Sequence, residues 1–402
     1  HLTAAELADD LVHDSSLIVT PEGGLVDAEI GITSPTPRAA TTTIGSVTFV
    51  ASPPALYPYD QTFTLHSDPA SSRVIYLDFV GSTDPVSGLT TLPMDLDGSP
   101  STFADVERDM IQEVWQRVAE AFSAFDVDVT TELPAPDALD FDAAGNDTHW
   151  GVRVAISNGG TTSLIATLLS FGPSHTVGLA ATGQFAAPDA AIDPKAVVYP
   201  KNFGVFDGWL IAEVAVHEAG HTLGLLHATA QPTALWQEIM TASLMRVPMN
   251  QWSGRRDDYA TMTLGGLGLV LRTETDLVSV PMPQGNVGFS LTARIVGPSD
   301  QDLYGFTVPP GAGPVTIDVE PSPFTAALDL KATLLDAAGQ VITVADPPAY
   351  RIDAEHAGGL GATITQLLTP GEYRLRVEGA GSANPDPNFL NNAVVVVQTV
   401  TR

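Results

Sequence analysis

The chain has 402 residues, enough for two or three domains, and its 44% hydrophobic fraction can fill real cores. A formal net charge of -30, with 17 Lys and Arg against 47 Asp and Glu, argues against nucleic acid or an anionic membrane surface as partner and favours solubility. No apolar run approaches the ~20 residues of a membrane span. The absence of cysteine excludes a disulfide framework and any latency device that caps a metal with a thiolate.

Residues 1–55 read as an N-terminal segment: a pro-segment, a small β element or a spacer. The chain opens on His1 rather than Met, as expected of a processed or trimmed protein whose export signal is already removed. Thr3 and Glu6 could cap a short helix, and Val47-Thr48-Phe49-Val50 is strand-like. His13 and His66 stand alone and are expected on the surface.

From residue 56 the pattern sharpens. Arg73 to Phe79 is apolar and β-branched, a strand. A helix is expected over 103–122, capped at Thr102, with Val106, Met110, Val114, Val118 and Phe122 as its core stripe. Two more strands follow, at 125–131 and 151–156. This order implies an α+β layered domain with a mixed sheet, spanning 56–278. Between 157 and 209, Val177-Gly178-Leu179 suggests a strand whose edge could take an extended peptide. His175 lies in this region; a loop histidine is the simpler reading, a contact to substrate or to a second metal the other.

The stretch around which this domain is organised is His217-Glu218-Ala219-Gly220-His221-Thr222-Leu223-Gly224-Leu225-Leu226-His227. On a helix of ~3.6 residues per turn, His217 and His221 share one face and can bind one zinc together. The helix is expected over 208–224 and half buried, with Leu210 and Val214 inward. Gly224 can take the left-handed conformation that ends a helix, so that His227 returns as a third ligand. Three protein ligands leave a fourth position for water, the layout of a catalytic site. Glu218 stands where its carboxylate can serve as general base.

The same signature, followed by the Ile239-Met240 turn, resembles the metzincin clan of zinc endopeptidases. The resemblance implies a metzincin-like catalytic domain with Met240 as the apolar floor beneath the histidines; Met245 is the second choice. Ile75 to Phe79, Trp115 to Ala119 and Gln251-Trp252-Ser253 are similar to a group of bacterial secreted metzincins. Ala242 stands where some members carry a tyrosine ligand, and Ala228 where subfamilies carry a diagnostic residue. No Gly-Gly-x-Gly-x-Asp repeats occur, which argues against the serralysin type.

After a linker at 281–284, short alternating runs imply an all-β sandwich over 285–402. The succession Asp302-Leu303-Tyr304, Leu328-Asp329-Leu330, Asp336-Ala337-Ala338-Gly339 and Pro370-Gly371-Glu372-Tyr373 resembles the bacterial pre-peptidase C-terminal domain. That family can hold Ca2+ in Asp-rich turns. Asp300, Asp302 and Asp329 are the matching candidates, with solvated carboxylates as the equal alternative.

The expected function is a secreted, monomeric zinc (Zn2+) endopeptidase acting on protein or peptide. Two other classes stay open: an inactive binding or adhesion protein on a metzincin scaffold, and a zinc hydrolase of non-peptide amides. The intact Glu218 counts against the first.

Overall fold

A computed structural model describes residues 16–19, 24–30, 41–83, 90–135, 137–142, 147–161, 176–187, 194–228, 233–242, 246–252, 258–263, 268–272, 277–279, 290–295, 300–311, 314–380 and 394–398. The fold is mixed α and β, mostly sheet with few helices, and it contains a β-sandwich-like region.

The larger sheet has seven strands: β1 (Leu17–Val19), β2 (Leu25–Ile30), β3 (Arg73–Asp78), β4 (Asp128–Thr130), β5 (Trp150–Ile156), β6 (Thr176–Ala181) and β7 (Ala196–Val198). Their order across the sheet is β1-β2-β6-β7-β5-β3-β4. The pairs β7–β5, β5–β3 and β3–β4 are parallel, whereas β6 runs antiparallel to both of its neighbours. The inner strands are buried throughout, so they read as near-continuous apolar runs rather than as alternating ones.

Helix α1 (Asp105–Ala121) packs on helix α2 (Gly208–Thr222), and α2 also lies along β5, β6 and β7. Met110, Val114 and Val118 are wholly buried, followed by Phe122 at the helix end, while Val106 is only half-buried. The expected cap at Thr102 is corrected. Ala104 is the N-cap, and Glu107 reaches back to accept its backbone N–H at 2.7 Å. Thr102 instead donates its hydroxyl to the Ser99 carbonyl.

Within residues 1–55, strands β1 and β2 are members of the large sheet, and the hairpin of Thr41–Ile44 with Val47–Val50 is hydrogen-bonded to Phe206, just ahead of α2. The Thr3–Glu6 cap and His13 lie outside the described residues. Helix α2 is also not half-buried: every residue from Gly208 to Thr222 is buried. It lies between the sheet and α1, with the segment around Met240 and Trp252 against its C-terminal half.

Beyond residue 277 two sheets face each other around a second core. One is built from β8 (Leu277–Ser279), β10 (Gln301–Val308), β12 (Leu330–Asp336), β13 (Val341–Ala345) and β15 (Gly371–Gly379). The other comprises β9 (Ser290–Arg294), β11 (Pro314–Glu320), β14 (Ala362–Leu367) and β16 (Val394–Gln398). Along β10 and β11 buried and exposed residues alternate, so Tyr304, Phe306, Val315, Ile317 and Val319 point into that core with Leu330, Leu334, Leu375 and Val377.

The sandwich meets the larger domain through an apolar cluster of Trp236, Met249 and Leu360 and through polar contacts. The Glu120 carboxylate of α1 accepts the backbone N–H groups of Phe324 and Thr325, at 3.1 and 2.6 Å. Gln251 donates to the Ala327 carbonyl, and Arg246 bridges Asp207 and Glu355.

A candidate metal centre at the end of helix α2

Asp207 caps α2, its carboxylate accepting the Trp209 N–H at 3.1 Å. One turn apart near the other end stand His217 and His221. Gly224 has φ +94°, the left-handed value that stops the helix, and Leu225 donates its N–H back to the Gly220 carbonyl at 3.1 Å. The turn brings His227 over the helical pair. His217 Nε2 lies 3.0 Å from His221 Nε2 and 3.1 Å from His227 Nε2. Nitrogens bound at ~2.0–2.1 Å to a tetrahedral ion stand roughly 3.3 Å apart, so these spacings fit a single metal ion.

The outer nitrogens fix the rings. His217 Nδ1 donates to the Ile239 carbonyl and His221 Nδ1 to the Leu225 carbonyl, each at 2.8 Å, and His227 Nδ1 lies 3.2 Å from the Ser16 hydroxyl. A ring that donates from Nδ1 keeps the Nε2 lone pair for a metal. Burial pushes His221 down to about 4, against the opposing pull of Asp27 and with help from His217 and His227. It is therefore neutral at neutral pH, the form a metal requires. The buried triad could bind a metal ion.

Glu218 is fully buried, and its carboxylate abuts strand β6. A Cβ on Gly178 would lie 1.9 Å from Glu218 Oε1, so only glycine leaves room there. Met240 is buried against the helix: its sulfur would be 2.6 Å from a Cβ on Gly220, between the two helical histidines. The Met240 carbonyl accepts the Ala228 N–H at 2.6 Å, which ties the segment after His227 to this turn. Trp252 completes the packing near Gly220 and donates its indole N–H to the Ala121 carbonyl.

The structure thus brings His217, Glu218, His221, His227 and Met240 together. His175, Met245 and Ser253 lie outside the described residues. His66 is engaged elsewhere, held by Asp128 at 2.6 Å and Glu132 at 2.9 Å. Asp300, Asp302 and Asp329 do not form a metal-type cluster among the described residues. A cluster that does form, Asp95, Asp97 and Glu107, uses its carboxylates on backbone N–H groups of its own turn and of the α1 N-cap.

Two residues at the centre escaped the sequence reading: Ser16 and Asp27. Asp27 is fully buried on β2, with Oδ2 3.7 Å from His221 Nε2 and Oδ1 3.9 Å from His227 Nε2. Its signal was the apolar-polar alternation Leu25-Val26-Asp27-Ala28-Glu29-Ile30, which places one acid on the side opposite two apolar residues.

No protein-family model matches the chain, and no curated protein matches it. Among solved structures, the pre-peptidase C-terminal domain of collagenase from Bacillus anthracis is similar over 32% of this chain and 97% of that one, with 13% identity and a TM-score of 0.22. PliG, a periplasmic inhibitor of g-type lysozyme from Salmonella Typhimurium, is similar over 31% of this chain and 98% of its own, at 21% identity and a TM-score of 0.20. CorA, a surface-associated copper-binding protein of Methylomicrobium album BG8, covers 32% of this chain and 100% of its own, at 12% identity and a TM-score of 0.22. Scores this low carry no argument about function. Among the described residues no helix is long and apolar enough to cross a membrane.

Proposed function

We propose that this chain is a secreted zinc endopeptidase of metzincin type. The observation that carries the reading is the convergence of three Nε2 atoms from a helix pair and a glycine-turned return, with a buried glutamate adjoining the first ligand. His217, His221 and His227 would hold zinc. When bound, zinc supplies a Lewis acid that polarises the scissile carbonyl and makes water a nucleophile near neutral pH.

The chain's own residues do the rest. The two backbone carbonyls that accept from His217 and His221 orient the rings and make them better donors. Glu218 takes the proton of the attacking water on its carboxylate and later returns it to the leaving amine. Strand β6, in contact with Glu218 through Gly178, is paired on both sides in this structure, and with β2 displaced its freed edge would hold an extended peptide by main-chain hydrogen bonds. The sandwich then serves substrate or surface binding, outside the chemistry.

The test is elemental analysis followed by casein hydrolysis, on the full chain and after limited proteolysis, since β2 covers the β6 edge. About one zinc per chain is expected. Hydrolysis should stop with 1,10-phenanthroline. In Glu218→Gln it should drop roughly 10²–10⁴-fold with the metal retained. Zinc-free active protein, or a Glu218→Gln variant of normal rate, would sink the reading.

A further inference from the structure

Strand β2 delivers a carboxyl group to a place where no described group is hydrogen-bonded to it. Val26 and Ala28 point to one face of the sheet, packing with Ala155, Leu179, Ala181, Val197 and Tyr199. Asp27 therefore points to the other, into the histidine cluster. It is fully buried, and among the described residues neither carboxylate oxygen has a hydrogen-bond donor. A buried carboxylate without a partner costs several kcal/mol. The nearer of the two imidazoles it faces offers no donor. His221 Nδ1 holds its proton against the Leu225 carbonyl, so its Nε2 presents a lone pair to Asp27 Oδ2. Lone pair facing lone pair at 3.7 Å is repulsive unless a cation lies between them.

The backbone around Asp27 is as telling as the side chain. β2 runs antiparallel along β6, with Asp27 opposite Ala180 and Glu29 opposite Gly178. Gly178 is the residue on which Glu218 rests. β2 thus takes the hydrogen-bonding edge on which an extended peptide would have to be laid. β1 closes the hairpin, and Ser16 beside it places its hydroxyl on His227 Nδ1.

We propose that Asp27 is a fourth protein ligand of the metal centre, and that the β1–β2 hairpin is a built-in stopper filling both the open coordination position and the substrate edge. The proposal rests on the zinc peptidase reading above. Four protein ligands close a zinc site, whereas three leave it catalytic. A cysteine-free chain cannot cap its metal with a thiolate; a carboxylate carried on a strand does the same work. Activity then requires that the hairpin be withdrawn or cut away.

The full chain is loaded with Co2+ in place of zinc and titrated with acetohydroxamate, a small bidentate metal ligand, while the visible spectrum is followed. Wild type should hold its spectrum, because the fourth position is filled. Asp27→Asn and Asp27→Ala should shift the spectrum on addition of the hydroxamate. Zinc affinity of Asp27→Ala, by chelator competition, should fall roughly 10–100-fold, the span seen when a group supporting a metal shell is lost. X-ray absorption of the zinc-loaded wild type should show three imidazoles and one carboxylate, an arm that does not depend on the variants folding. A wild type that takes hydroxamate as readily as Asp27→Asn, or a shell of three imidazoles and water, overturns the stopper while leaving the zinc reading intact. A wild type that binds no zinc overturns both.

Discussion

At the scale of the residue, this centre is shaped by close approaches. Gly178 is a backbone patch against which a carboxylate rests. Gly178→Ala should push the Glu218 carboxylate aside, because its Cβ would fall 1.9 Å from Oε1. Peptide cleavage by the proteolytically trimmed protein should then drop by a factor within the ~10²–10⁴ attributed to a general base. Zinc content should not change, since the atoms nearest a Cβ at residue 178 belong to Glu218 and Val214. Equal kcat in the two proteins would show that Glu218 is free to work from another position. Met240 is a floor rather than a ligand. Met240→Leu nearly conserves volume, so a loss of under ~1.5 kcal/mol in urea unfolding is expected, with zinc kept. Loss of the metal from a still-folded variant would contradict that role.

At the scale of the element, α2 carries its chemistry inside the protein. Glu213 sits wholly buried in its middle. Burial raises its pKa from 4.5 to about 7, against the opposing pull of Arg117, Asn250 and Arg246. The folded chain therefore keeps a proton that the unfolded chain releases above 4.5. The stability this provides is complete below 4.5 and is lost as pH rises through about 7. Between those values each pH unit changes stability by at most about 1.4 kcal/mol. Glu213→Gln removes that component. Urea midpoints taken from pH 5 to 8 should slope downward more steeply in wild type than in the variant; parallel slopes would place Glu213 in a charged state throughout.

Which elements were legible follows the range of the forces that make them. The core stripe of α1 and the stop at Gly224 are local matters of periodicity and backbone freedom, and both stand in the structure. The α1 cap was misassigned because Glu107, inside the helix, satisfies the Ala104 N–H and leaves Thr102 unneeded. The depth of α2 was misjudged because only its apolar positions, such as Leu210 and Val214, were counted inward. They are buried because they converge on one another and on groups supplied by other elements.

At the scale of the whole molecule, one arginine joins three parts. Arg246 pairs with Asp207, which caps α2, and with Glu355 of the sandwich, and its guanidinium lies over the Trp209 ring at 4.5 Å. All three charged side chains are almost fully buried. Breaking a buried pair from one side strands the remaining charges, at a cost of about 3–5 kcal/mol. Arg246→Met should lose that much in chemical unfolding and should separate the melting of the sandwich from that of the larger domain. A variant that unfolds in one unchanged transition would show that this seam does not couple them.

The sequence alone determined the helix, its end and the three histidines, because a single turn and a single glycine set their mutual geometry. It also determined the alternating strands of the sandwich, whose pattern repeats within a few residues. Only the tertiary structure decided what closes the centre. Asp27 and Ser16 come from a hairpin at one end of the chain, and they meet the histidines because β2 pairs with β6, a register that no local pattern encodes. Strand pairing is set by which buried face each strand can share. For β2 that face is the patch of Leu179, Ala181 and Val197, and burying Val26 and Ala28 on it turns Asp27 toward the histidine cluster.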